Sequence, residues 1–557
     1  MELTIKDTSF TIVGKLQRMR KSRVWSKLQN GGGQLMATLA QSTDVLVIGD
    51  TYFEEEARKY TERAELNGTI VINEVQFEDL LEHGHLHIEE KASPIGESIE
   101  LTESIAHIRS LLGDAPTVET WQQLYQVLDK TPKSNLPDVV EYVLAHFSQH
   151  TPNWSDAGSF NREDKRSYTP PFEPPNHWLQ ELFTGKYSPK HRILKKINLF
   201  DLNLTGKPTN TLFASPDLRH ITQINLGNNK KLPKGFYKML GQWEGISQVT
   251  HLSLEGNPLT KPFVEGLVGS HCFPALKYLS LRECSFRDRG LMAHMLANEG
   301  LKNLEELDLS RAYGSAYTLV EPLSSAEHLT SLHTLRLHSA GFLTNERIEQ
   351  LLGSPFVPQL RLLDISHYTS AEGLGRSFRH HPPFKSLRQL NLRKTDIHEE
   401  DIQDIASNPS LSSLRSLQIG DSGAPVEAFN ALLQSPNLSS IQTLNMHAQF
   451  ADRTEILTML CESIQQTQLT HLSIVPQWRS EEEYEGPTFE EYYIKNGMTF
   501  TDDLIESFAY TPHFTSLEQC YLGFLTETQL DIINASPYLS DTVKHSIQHN
   551  TYRVFQS

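Results

Sequence analysis

Apolar residues recur along this chain in one short phrase. Leu194-Lys-Lys-Ile197-Asn-Leu199 returns as Ile221-Thr-Gln-Ile224-Asn-Leu226 and as Val249-Thr-His-Leu252-Ser-Leu254. The phrase opens again at Leu276, Leu304, Leu332, Leu360, Leu387, Leu414, Ile441, Leu469 and Leu517. The intervals are 27, 28, 27, 28, 28, 28, 27, 27, 27 and 28 residues, then one of 48. A fixed period of this size marks stacked structural repeats, each burying its apolar face on its neighbours. Alternation within the phrase predicts a strand with its leucines inward and the residues between them outward. Helical patterns fill the gaps at 263–269, 288–298, 346–353, 399–407, 426–434 and 453–462. Ser354-Pro355, Asn408-Pro409 and Ser435-Pro436 follow three of them, and proline there stops a helix. The expected fold is therefore an α/β solenoid of about twelve strand–helix units. It places a parallel sheet on an inner curve and helices on an outer one, in a horseshoe.

The pattern differs before the repeats. Residues 9–14, 44–49 and 69–72 read as strands, and 15–29, 54–66 and 75–81 as helices. That alternation predicts a small domain over 1–84 with a parallel sheet covered by helices. Helices are expected at 98–112, 118–128 and 137–147, in a spacer over 85–150. Trp121, Leu124, Tyr125 and Leu128 make one apolar stripe, and Val139, Val140, Val143, Leu144 and Phe147 a facing one. Prolines 152, 170, 171, 174 and 175 mark 151–176 as a linker, and 177–193 reads as the N-terminal cap of the array. The repeats occupy 194–516 with an insertion at 475–515, and 517–557 holds the last repeat and a C-terminal cap with helices at 526–535 and 540–550.

Two resemblances follow from particular residues. Phe10-x-x-x-Gly14, the Gly32-Gly33 pair, the 44–49 strand ending in Gly49, and Lys59 with Ala64 before Gly68 together resemble a BRCT domain. Phe77 stands where many members have Trp. That family serves DNA-damage-response proteins and bacterial DNA ligases. The resemblance implies a phosphate site at Gly14 and Lys59. The family's hydroxyl position holds Val13, a departure, and Thr11 lies two residues earlier on the same strand face. The phrase L-x-x-L-x-L with its unit length resembles ribonuclease-inhibitor-like leucine-rich repeats, with Ser-Pro-x-Leu joints of bacterial style. In such repeats Asn, Cys, Thr or Ser stands eight residues after the first Leu to bond the turn backbone. Asn229, Asn257, Cys284, Thr395 and Ser422 fit, whereas Ala312, Ala340, Tyr368 and Gln449 do not.

Charge changes this picture locally. The chain of 557 residues carries a net charge of −18, which disfavours a general nucleic-acid binder. Yet Lys15, Arg18, Arg20, Lys21, Arg23 and Lys27 fall together without an acid between them. Such a run is the footprint of DNA phosphate contact, at an end or a nick, or else a solvated face. By parity the inner curve presents Tyr278, Arg282, Glu306, Asp308, Arg336, His338, Asp364, Asn391, Arg393, His447 and His471 to a protein partner. The insertion adds Trp478, Glu481-Glu482-Glu483-Tyr484-Glu485, Tyr492 and Tyr493.

The chemistry of catalysis is harder to find. No phosphate-binding G-x-x-x-x-G-K-[ST], H-E-x-x-H or G-x-S-x-G occurs. Cys272, Cys284, Cys461 and Cys520 are scattered as in a reducing compartment. His83, His85 and His87 alternate, as metal-binding side chains on one strand face would and as a solvated edge strand would. The expected function is a non-enzymatic, cytoplasmic adaptor without cofactor or metal, whose repeats bind a protein and whose first domain makes a second contact to protein, phosphopeptide or DNA. A DNA-repair-associated protein and an unrecognised enzyme are the alternatives.

Overall fold

The computed structural model of the chain describes residues 2–14, 16, 21–36, 43–49, 60–61, 64, 69–87, 101–113, 117–149, 176–202, 204, 206–233, 235–261, 264–265, 273–286, 290–313, 316–339, 344–368, 373–380, 384–420, 424–448, 450–463, 465, 468–476, 500–523 and 525–549. They divide into two compact units. The first holds those up to Val249 together with Glu265. The second holds Thr250–Val264 and those from Phe273 onward.

The first unit begins with β1 (Glu2–Thr4), β2 (Ser9–Val13), β3 (Gln34–Met36), β4 (Val45–Ile48), β5 (Ile70–Asn73) and β6 (His85–His87), with α1 (Lys21–Asn30) and α2 (Glu74–His83) between them. Four strands form a parallel sheet in the order β3-β2-β4-β5. Parallel strands covered on both faces read as apolar runs, and β4 is buried at Val45, Leu46 and Val47. Phe10 on β2 and Phe77 on α2 pack at a ring-centroid separation of 5.8 Å. The short β3 and the antiparallel β1–β6 pair lie outside the expected elements. Both are three-residue strands, too short to impose a readable alternation. Gly84 (φ 80°) caps α2 in the left-handed region, so His83 ends a helix while His85 and His87 lie on β6. The three histidines therefore do not share one strand face. The expected helix 54–66 and the linker 151–176 lie almost wholly outside the described residues.

Three helices follow, α3 (Leu101–Gly113), α4 (Val118–Lys130) and α5 (Leu136–Gln149), and then the cap helix α6 (Asn176–Thr184). The stripes meet as anticipated, with Trp121 5.6 Å from Phe147. The stripe of α4 also receives the cap, since Tyr125 and Trp178 sit edge to face at 5.0 Å. A polar cluster fixes this junction. Asp129 accepts from Trp178 Nε1 at 2.7 Å, Lys190 Nζ at 2.9 Å and His177 Nε2 at 2.9 Å. Glu181 accepts from Lys190 and from the buried His191. Burial pushes both carboxyls up, but the hydrogen bonds from His177 and Lys190 to Asp129, and from His191 and Lys190 to Glu181, outweigh it and hold both below the usual range.

Twelve short parallel strands come from the repeat phrases. Two lie in the first unit, Lys196–Asn198 paired with Gln223–Asn225. Ten lie in the second, from His251–Ser253 to Gln519–Tyr521, each pairing with its chain neighbours. The pairing keeps one register: Leu252, Leu279, Leu307, Leu335, Leu363, Leu390, Leu417, Leu444, Leu472 and Cys520 stack as partners and all are buried. Helices return the chain, among them Asn345–Leu352, Glu399–Ala406 and Asp502–Ala509, and the C-terminal pair Glu527–Ala535 and Asp541–His549 closes the described residues.

Among the described residues, seven strand exits share a tight turn. Asp201, Asn228, Glu283, Arg311, Ser339, His367 and Lys394 hold φ between 51° and 58°, seven residues after the opening of their phrase. The next residue bonds the turn. Asn229 donates to the carbonyls of Leu199 (2.7 Å), Leu226 (3.0 Å) and Gly227 (2.9 Å) and accepts from Leu204 N (3.1 Å). Asn257 donates to Leu254 O, Cys284 Sγ to Leu254 O, and Thr395 Oγ1 to Ile365 O. A matching device closes the helix side. Asn408, Ser435 and Ser463 donate to Phe378 O, Ala406 O and Leu433 O of the preceding repeat. Pro216, Pro409 and Pro436 each open a 3-10 turn just after the helix, as the first helical position permits.

Two outcomes test these contacts. Asn229→Ala strips a donor from buried carbonyls and is expected to lower stability in urea unfolding by about 2–3 kcal/mol. A loss below about 0.5 kcal/mol, the range of an ordinary surface change, would show that the ladder is dispensable. Asp129→Ala leaves the buried Lys190 without its first partner and is expected to cost about 3 kcal/mol. Since the folded carboxyls sit below their unfolded values, their contribution is present above about pH 4 and is lost as pH falls below it, so acid unfolding of the variant should be shallower in that window.

Candidate partner-binding face of the repeats

The outward positions of the second unit's strands form one polar face. Its first strands are paired acid to base. Lys277 and His333 flank Glu305 at 2.9 and 3.5 Å. Arg282 lies 3.2 Å from Glu255 and 3.5 Å from Glu283, and Arg311 lies 3.3 Å from Glu283. Arg336 meets Glu306 at 3.3 Å. Tyr278 is nearly covered and stacks on His251 at 5.6 Å. Asp308, Asp364 and Asn391 turn their side chains onto the backbone N–H of Ser310, Ser366 and Arg393, closing the strand-exit turns. Much of this face is therefore structural as well as exposed.

The balance shifts from Leu360 onward. Arg361, Arg388 and Arg415 occupy the same place in three successive repeats, directly after the opening leucine, and all are exposed. At the strand exits stand His338, His367, Arg393 and Lys394. His338 accepts or donates at Ser366 Oγ (2.8 Å), which in turn donates to Asp364 (2.6 Å). His338 and His367 meet edge to face at 4.4 Å. Burial, then His338, Lys394, Arg393 and Arg311, push the His367 imidazole down to about 4. This part of the face carries Arg361, Arg388, Arg393, Lys394 and Arg415, and the strand acid Asp364 is already engaged by Ser366.

The other expected site residues fall as follows. His471 lies on its strand beside Thr470 Oγ1 (2.8 Å). His447 is a strand residue whose side chain lies outside the described set. Trp478, Tyr484, Tyr492 and Tyr493 lie outside it altogether. In the N-terminal sheet Gly14 holds φ 84°, a conformation suited to glycine. Thr11 is buried and shares its hydroxyl with Thr43 Oγ1 at 3.3 Å. It therefore does not supply the surface hydroxyl that Val13 lacks, because strand alternation turns both onto the covered face packed with Leu46 and Ala64. Lys15, Arg18, Arg20 and Lys59 lie outside the described residues, as does the side chain of Lys21. Arg23 is exposed on α1, as is Trp25, at 51%.

Parity counting missed Arg361, Arg388, Arg415, His367 and Lys394. The signal was present at a fixed offset: reading one column down the aligned phrases gives Lys277, Glu305, His333, Arg361, Arg388 and Arg415. The described cysteines are free thiols, and burial pushes Cys284 and Cys520 up and Cys461 to about 11, so none is primed as a nucleophile at neutral pH. No group of three metal-ligating side chains occurs among the described residues, and no described helix is long and apolar enough to cross a membrane.

No family model matches the chain, and no curated protein matches it. Among solved structures it is similar to a chain of the yeast Rad7–Elc1 complex, at 17% identity over 68% of this chain and 91% of that one, with a TM-score of 0.34. An internalin from Listeria monocytogenes shares 14% identity over 53% and 85% of the two chains, with a TM-score of 0.28. A Bacteroides fragilis protein shares 13% over 44% and 69%, with a TM-score of 0.30.

The depressed imidazole gives a signed pH test. An unfolded His takes up its proton near about pH 6.5, whereas folded His367 does so only at about 4. Between those values the unfolded chain binds more protons, so stability falls as pH drops through that window. His367→Gln should remove a pH-dependent loss on the order of 1 kcal/mol, discounted for partial solvent screening. Identical denaturant midpoints against pH for both proteins would refute the assignment.

Proposed function

We propose that this protein is a non-enzymatic binding scaffold whose repeat strands present one continuous polar face to a partner protein. The observation that carries the reading is the fixed register of the second unit's strands. It sets outward side chains from many repeats on one surface, the arrangement that repeat proteins use to bind extended partners. The mixture of Arg336, Gln389 and Gln418 with few unengaged acids suits protein recognition. Catalysis is not part of this reading, and it calls for no cofactor.

The N-terminal sheet gives a second contact, through the BRCT-like resemblance, to protein or to DNA phosphate. Supporting this are the parallel order β3-β2-β4-β5, the left-handed Gly14 and the exposed Arg23 on α1. DNA is favoured over a phosphopeptide because Thr11 is buried. Binding there would weaken steeply with salt.

A photo-crosslinking amino acid placed singly at Gln389 or Gln418 on the strand face, or at Gln403 on the helix Glu399–Ala406, tests the main reading. Protein adducts are expected from the two strand positions and not from Gln403. Equal adducts at all three, or none at the strand positions, would refute it.

A further inference from the structure

Arg361, Arg388 and Arg415 are more than three surface residues. Their main chains are adjacent rungs of one ladder. Arg388 N donates to Arg361 O at 2.8 Å, and Arg415 N donates to Arg388 O at 2.8 Å. The ladder continues through Arg361 N to His333 O at 2.7 Å and Gln442 N to Arg415 O at 2.8 Å. Adjacent parallel strands lie about 4.8 Å apart, so three guanidinium stems leave the sheet in a row at that spacing. None of the three side chains has a hydrogen bond, ion pair or ring contact among the described residues. This contrasts with Lys277, Arg282, Arg311 and Arg336, each of which faces a carboxylate. The three exposed cations therefore lie unpaired, among the described residues, along one line of rungs.

The neighbouring positions point to the occupant. The next residues along the same strands are Leu362, Gln389 and Ser416, half-buried or exposed. Side-chain amides and hydroxyls suit a peptide main chain, and the part-exposed leucine suits an aliphatic side chain. Arginine holds carboxylates with a planar fork that lysine lacks. We propose that the repeats opening at Leu360, Leu387 and Leu414 dock an extended acidic segment of the partner protein, with Arg361, Arg388 and Arg415 clamping its carboxylates. The assignment rests on the protein-binding reading above and names the chemistry of the partner's contact segment. Although the whole chain is anionic at −18, charges beyond about 8 Å are screened at physiological salt, so the local row governs the encounter.

The test uses the full-length protein and a fluorescein-labelled poly-glutamate peptide of about twelve residues, read by fluorescence polarisation at about 50 mM salt. Binding is expected, with a loss of about threefold for each single Arg→Ala and at least about thirtyfold for R361E/R388E/R415E. The triple Arg→Gln variant removes the charge without reversing it, keeps the test open should reversal impair folding, and is expected to lose about twentyfold. Absence of poly-glutamate binding, or binding unchanged in both triple variants, would overturn the proposal. So would tighter binding of an oligothymidylate of the same length that the same substitutions abolish, which would assign the row to nucleic acid. Replacing Glu481, Glu482, Glu483 and Glu485 with Ser should leave affinity unchanged; a large gain would assign the row to this chain's own acidic segment and overturn the partner. If crosslinks at Gln389 and Gln418 persist while poly-glutamate fails to bind, only the acidic-segment inference falls. If those crosslinks are also absent, the protein-binding reading falls with it.

Discussion

Everything in the repeat segment depends on one constraint: a strand of three residues must end in a turn whose carbonyls are buried, and those carbonyls must find donors. A lone turn provides only some of them, as Asn257 does for Leu254 O. The other donors come from the neighbouring repeat, as when Asn229 reaches back to Leu199 O, Cys284 to Leu254 O and Thr395 to Ile365 O. An unpaired buried carbonyl costs about 1–3 kcal/mol, comparable to burying a leucine. The apolar column brings repeats together, but it is non-directional and tolerates sliding. The donors are directional and fix the register.

The helix side obeys the same rule with different residues. The last carbonyls of a helix are orphaned. Here Asn408, Ser435 and Ser463 each cross to the preceding repeat's helix end. The Ser-Pro and Asn-Pro joints thus have two uses. The side chain before the proline satisfies the previous helix, and the proline opens a 3-10 turn that needs no N–H at that point. Stability is then a sum of contacts between neighbours, and each repeat is incomplete without the next.

Much of this was legible in the sequence because its causes are periodic. The leucine spacing gave the strands, and the Asn, Cys and Thr at the eighth position gave the donors. The helices over 101–149 were legible for the same reason, since their stripes repeat at helical spacing. Aperiodic features were not. The Asp129–Lys190–Glu181 cluster joins residues up to 61 positions apart, and no local pattern announces it. The strands at 2–4 and 34–36 are too short for alternation to register. Thr11 was read correctly for its strand face but not for its burial, because parity assigns a face and says nothing of what covers it.

The candidate surface shows the same division at finer scale. Outward parity found Arg336 and Arg393 but treated the strand as beginning two residues after the opening leucine, and so passed over Arg361, Arg388 and Arg415. In an isolated strand that first residue belongs to a turn. In a stacked array its carbonyl accepts two N–H groups from the next repeat, from Arg388 and Gln389 to Arg361 O and again from Arg415 and Ser416 to Arg388 O. This bifurcation locks the position as firmly as the strand itself. A backbone held so rigidly, in register with its copies, roots the three side-chain stems along one line. The ordering cost of three arginines is therefore partly met by the backbone before any ligand arrives, which makes a row at this offset better suited to clamping an extended chain than the same three residues on loops.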